Sequence, residues 1–252
     1  WRRGFAGGVT ADTVGAFLGP LAAIALMAIF ADDFRLVFWC ATLPAALCVL
    51  TVLFGVEDAP RSAGRAPPRA PIALAELRAL DAGFWRVVAL GVLFTLARFS
   101  EAFLVLKAHA VGLPLALAPA VLVAMNVVYA LGAYPAGLLA DRVAARGLLL
   151  AALCALIVAD LLLAVATDLP LAFAGIVLWG LHMAFSQGLL AKLVADHAPA
   201  ALRGSAFGLF NLTSGVAMLA ASALAGFLWD GFGAAGAFGG GALFAAAAAV
   251  FV

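Results

Sequence analysis

Apolar runs of roughly membrane-spanning length recur eight times along this chain: Phe5–Phe30, Phe34–Val56, Phe84–Ala108, Leu115–Ala140, Leu148–Thr167, Leu171–Leu190, Gly204–Trp229 and Gly233–Val252. A helix needs about 20 residues, at 1.5 Å each, to cross a ~30 Å hydrocarbon layer. Inside that layer no water bonds the backbone, so runs of this length are satisfied only as helices. Of the 252 residues, 67% are hydrophobic and 11% charged, against roughly half and a quarter in a soluble domain. Too little polar surface remains to cover a globule in water. The fold class expected is an all-α polytopic membrane protein with eight transmembrane helices.

The net charge of +1 gives no electrostatic reason to expect nucleic acid or an acidic partner. Cys40, Cys48 and Cys154 all lie within apolar runs, without metal-ligand spacing, and read as small buried hydrophobes; no metal site is expected. No Met stands at position 1, no signal peptide precedes the first run, and the last run stops at Val252. The chain therefore reads as part of a longer protein.

One connection is long. Residues 57–83 mix Arg61, Arg65, Arg69 and Arg78 with acids and prolines, a solvated loop that ends in a short amphipathic helix. It separates two runs (residues 1–56) from six (84–252). With the loop on the cytoplasmic side, Arg2, Arg3, Arg86, Arg142, Arg146, Lys192 and Arg203 join its four arginines there; only Arg35 and Lys107 fall outside. That distribution obeys the positive-inside rule.

The two blocks echo each other. RGFAGGVTADTVG (Arg3–Gly15) and RGSAFGLFNLTSG (Arg203–Gly215) share Arg, Gly, Ala, Gly, Thr and Gly at a fixed offset of 200 residues. The echo makes Phe5–Phe30 the counterpart of Gly204–Trp229, and Phe34–Val56 that of Gly233–Val252. Repeated six-helix units are an architecture of secondary transporters, whose halves rock about a midplane site. The expectation is six-helix repeats with the first truncated to its last two helices.

The most specific motif is GLLADRVAARG, Gly137 to Gly147. It resembles the loop signature of the major facilitator superfamily, G-x-L-a-D-r-x-g-r-r, through Gly137, Leu139, Ala140, Asp141, Arg142 and Arg146. The family's central glycine is Ala144 here, and the first of its closing basic residues is Ala145. Gly137 would let two helices approach closely, while Asp141 would cap a helix N-terminus or pair with arginine to hold a cytoplasmic gate shut. GVEDAPR, beginning at Gly55, also resembles the family's acidic-proline segment. The likeness covers the whole chain, as helices five to twelve of twelve.

Three further features bear on function. Gly15, Gly19 and Pro20 form G-x-x-x-G-P, a small-residue packing pattern that in the family belongs to an antiporter signature; the upstream glycine falls on Ala6 and the following ones on Ala23 and Ile24. In ARFSEAF, Arg98 and Glu101 stand three apart, on one face of a continuous helix, about 21 Å along it from Phe84. They form either a substrate and proton site or a self-neutralising structural pair. Asn126, His182, Gln187 and Asn211 are also at middle depth, each as readily an interhelical bond as a ligand contact; Asp12 is a fifth polar residue there. Asp160 belongs to a helix that is peripheral in the family and is left out of the site.

No H-E-x-x-H, G-x-S-x-G or Walker glycine loop occurs, so no enzyme and no cofactor are expected. The resemblance implies a monomeric secondary transporter working by alternating access in a bacterial inner membrane, with a small molecule and protons as ligands. Proton-coupled efflux is the first expectation. Proton-linked metabolite uptake comes second, and a non-transporting sensor or scaffold is the rival of another class.

Overall fold

Asp33, Asp81 and Asp168 each stand just before an apolar run and cap it. Asp33 Oδ1 accepts from the Arg35 N–H at 2.9 Å, Asp81 Oδ1 from Phe84 at 2.8 Å, and Asp168 Oδ1 from Leu171 at 2.9 Å. A carboxylate at this position satisfies a backbone N–H that has no partner within the helix. The runs they open are helical. The computed structural model describes residues 15, 18–31, 33–55, 80–140, 142–200 and 202–252.

Within these residues lie α1 (Leu18–Ile29), α2 (Phe34–Gly55), α3 (Ala82–Ala97), α4 (Ala102–Ala110), α5 (Ala118–Ala140), α6 (Ala145–Val165), α7 (Leu169–His197) and α8 (Arg203–Phe251). No strand occurs among the described residues. Among the described residues six stretches are long and apolar enough to cross a membrane, one of them the α3–α4 pair. At 49 residues, α8 is more than twice the length one crossing needs. It turns at Gly233, whose φ of 69° and ψ of −163° leave the helical region. Glycine adopts such a positive φ without a Cβ penalty. The two limbs of α8 are two crossings. The protein is an all-α, multi-pass membrane protein.

The bundle is built around α7, which packs on both α5 and α6, while α8 packs on α3 and α6. Close approach depends on two glycines of α7. A Cβ at Gly180 would lie 2.5 Å from the Met125 carbonyl oxygen, and one at Gly175 would lie 2.6 Å from Leu163 Cγ and 3.1 Å from the Ala159 carbonyl oxygen. Small residues at such crossings let helices pack where lipid offers no hydrophobic driving force. Phe94, Phe99, Met125, Leu153, Leu156, Trp179 and Phe238 fill the core between them. By contrast α2 buries none of its residues.

One expectation is corrected. The run Phe84–Ala108 is not one helix but two, broken between Ala97 and Ala102. Among the described residues no atom of a neighbouring helix lies within 4 Å of a Cβ placed at Gly137. The same holds at Gly15 and Gly19, with Pro20 following in α1. The repeat segment Arg3–Thr13, Asp12, Asp141 and residues 56–79 of the loop lie outside the described residues.

Candidate functional site

The break in the third membrane span organises the site. After the Arg98 N–H bonds the Phe94 carbonyl at 3.0 Å, the helical ladder stops. Ser100 restarts it: its side-chain oxygen accepts from the Ala102 N–H at 3.3 Å, and its carbonyl from the Phe103 N–H at 3.1 Å. Its own N–H, freed by the break, donates to Ser222 Oγ of α8 at 3.2 Å. Such local serine bonds compete with the helix and let a new one begin. Between these bonds Phe99 turns inward and is 2% exposed, against Trp179 at 5.6 Å and Phe238 at 5.4 Å between ring centroids.

Two cavities lie along this segment. The first, about 250 Å³, is lined by Thr95, Arg98, His182, Ser186, Gln187, Asn211 and Ser214, with Phe94, Phe207 and Phe210 among its apolar walls. The second, about 850 Å³, is lined by Glu101, Ser100, Ser222 and the apolar Phe99, Val105 and Met218. Arg98 belongs to the first and Glu101 to the second. On α8 the lining passes from Phe207–Ser214 to Gly215–Ser222, so the cavities follow one another along the helices.

Discontinuous helices with polar groups at the break, flanking a cavity inside a membrane bundle, are the way transporters build midplane sites. Residues 88–252, which hold the whole of this site, match the model of the Major Facilitator Superfamily. The chain belongs to the Major Facilitator Superfamily. It is also similar to uncharacterised proteins of Mycobacterium tuberculosis and Mycobacterium bovis, 29% identical over 238 residues. The matched part is 90% of this chain and 56% of each relative, so the chain spans about half their length.

In this superfamily member, four of the six polar residues singled out in the sequence meet in one cavity: Arg98, His182, Gln187 and Asn211. Glu101 is across the break, and no ion pair within 4.0 Å joins it to Arg98 among the described residues. The one-face placement of the pair is overturned by the break. Asn126 is half-buried on α5 and lines neither cavity.

His182 is fully enclosed and its Nδ1 lies 2.8 Å from the Ala152 carbonyl oxygen of α6, while its ring stacks on Phe94 at 6.0 Å. A carbonyl only accepts, so Nδ1 carries the proton in that bond. Ser186 Oγ donates to the His182 carbonyl at 2.8 Å. At the loop motif, Arg142 and Arg146 are exposed, and Lys192 Nζ of α7 donates to the Ala140 carbonyl at 3.4 Å. Asp141 is outside the described residues.

Asp160 is the residue that sequence reasoning set aside. It is 0% exposed, and neither carboxylate oxygen has a hydrogen-bond partner among the described residues. Its signal was present in IVADLLLAV: a charge within an apolar run with no opposite charge within a turn. The family likeness of its helix outweighed that signal.

Proposed function

We propose that this chain carries half of a proton-linked transporter of small organic anions working by alternating access. The observation that carries this reading is the charge of the first cavity. Among the described residues Arg98 is its one permanent charge and no carboxylate lines it, while neutral donors share the lining with the cation: Gln187, Asn211, Thr95, Ser186 and Ser214. A guanidinium in a low-dielectric cavity binds a carboxylate through charge-assisted, often bidentate bonds. Phe94, Phe207 and Phe210 supply apolar walls for the rest of the molecule. The substrate class this favours is a carboxylate on a small aromatic or aliphatic body.

The same charge bears on direction. An anion carried into the bundle brings a negative charge, and a proton carried with it removes that charge from the membrane interior. Glu101, across the break, is the carboxyl proposed to carry that proton. Anion and proton favour each other's binding, and that coupling is reciprocal. Two ligands that bind together travel together, so uptake driven by a proton gradient is the better supported direction. Export is placed second, on the partial G-x-x-x-G-P pattern of Gly15, Gly19 and Pro20. The family points to a transporter rather than an enzyme.

The test is flux into proteoliposomes containing the intact protein, with benzoate and hexanoate compared against their amides. Saturable carboxylate flux, lost in Arg98→Gln and absent for the amides, is expected. Flux of amines or amides in preference would overturn the anion reading. Binding without any flux would favour a sensor or scaffold.

A further inference from the structure

Gly241, on the second limb of α8, faces three groups at once. A methyl placed there would lie 2.8 Å from Asp160 Oδ2, 2.9 Å from the Phe99 ring and 3.2 Å from the Ala97 carbonyl oxygen. The buried carboxyl of α6 and the last carbonyl before the broken segment therefore border the same small space beside Gly241, their oxygens no more than 6.0 Å apart. Among the described residues, the break leaves that carbonyl without the backbone N–H that a continuous helix would give it, because Glu101 opens the next helix instead.

An ionised carboxylate here, enclosed in a hydrocarbon-embedded core with no donor, is strongly disfavoured. A carboxyl group is not, since its O–H finds an acceptor in the freed carbonyl. A metal cation fits less well. It needs several oxygens around it, and the Phe99 ring occupies part of the same small space. The elements packed around Asp160 offer little else. The second limb of α8 has no ionisable residue, and Asp230 of the first limb is exposed at the turn. On α7, His182 is bonded to Ala152, and Trp179 has a buried indole N–H with no partner among the described residues. On α5 the ionisable groups are Tyr129, half-buried, and Tyr134, exposed. The break itself contributes Arg98 and Glu101.

We propose that Asp160 is a proton-binding site, a carboxyl that when protonated bonds the carbonyl freed at Ala97 and when ionised loses that bond. The first state holds the break. The second state loosens it. Its role in transport rests on the proton-linked reading above; the site itself does not.

The experiment is infrared spectroscopy of the intact protein in lipid across a pH titration, with hydrogen exchange at Phe99–Ala102 measured on the same samples. Wild type should show the C=O stretch of a protonated carboxyl, absent in Asp160→Asn and retained in Glu101→Gln. Exchange in the break should accelerate on the order of fivefold or more relative to Asp160→Asn once the carboxyl ionises. Persistence of the band in Asp160→Asn, its loss in Glu101→Gln, or its removal by sodium at constant pH would overturn the proposal. If Asp160→Asn does not fold, carboxyl-13C aspartate labelling of wild type must shift the band, and an unshifted band overturns the site. A band assigned to Asp160 in a protein without flux would sink the transport reading and leave the site standing. Flux with the band on Glu101 would do the reverse.

Discussion

Arg98 and Glu101 stand on opposite sides of a helix break, each lining a different cavity. In an unbroken helix, residues three apart would share a face and neutralise each other. The break separates them, so the cation lines one cavity and the carboxylate another. An arginine at mid-bilayer costs at least ~2.5 kcal/mol on insertion scales unless a partner or water meets it. The first cavity supplies that polar setting.

Arg98→Gln should weaken binding of a carboxylate ligand by on the order of tenfold or more, since a charge-assisted bond contributes about 1.5–3 kcal/mol. Arg98→Lys should recover part of it, because an ammonium keeps the charge and loses the fork geometry. Calorimetry with the intact protein in detergent measures both. Equal binding by all three proteins would remove Arg98 from the site.

Ser222→Ala deletes the acceptor of the Ser100 N–H and should destabilise the break by about 1 kcal/mol. Hydrogen exchange should quicken at Ser100 and Glu101 and stay unchanged in α7. Unaltered exchange would mean that another acceptor holds Ser100.

Gly180→Ala should cost roughly 1–3 kcal/mol, the usual penalty of overpacking, because its methyl meets the Met125 carbonyl. Gly188→Ala, on the same helix with nothing within 4 Å of its Cβ, should be neutral or stabilising by up to about 1 kcal/mol. Thermal unfolding in one detergent compares them. Equal stabilities would contradict the α5–α7 contact.

The spans were legible because hydropathy over 20 residues is set by lipid thickness and not by tertiary detail. Apolarity alone puts two of their starts two residues late, at Phe84 and Leu171, because it passes over the capping carboxylates Asp81 and Asp168. The break at Arg98–Glu101 was not. ARFSEAF holds neither Pro nor Gly, and besides the local bonds of Ser100 the break is met by a partner 122 residues away, Ser222. Gathering Arg98, His182, Gln187 and Asn211 into a cavity needed only their middle depth on cavity-facing helices. Asp160 was set aside although IVADLLLAV shows a lone charge in an apolar run; that both its oxygens lack a partner among the described residues is a tertiary fact the run does not encode.

Asp141→Asn, in the loop motif, should slow transport while leaving substrate affinity nearly unchanged, as expected of a residue that holds a gate and touches no ligand. Initial rates and equilibrium binding on the same preparation separate the two. Lost binding with intact turnover would contradict the gate assignment.

The most direct measurement is accumulation of a radiolabelled organic anion in proteoliposomes under an imposed pH gradient, acid outside. Wild type should concentrate the anion inside while protons enter with it. Glu101→Gln should still equilibrate the anion but no longer concentrate it. Accumulation equal to wild type in Glu101→Gln, or an anion gradient driven opposite to the proton gradient, would contradict coupled binding of anion and proton.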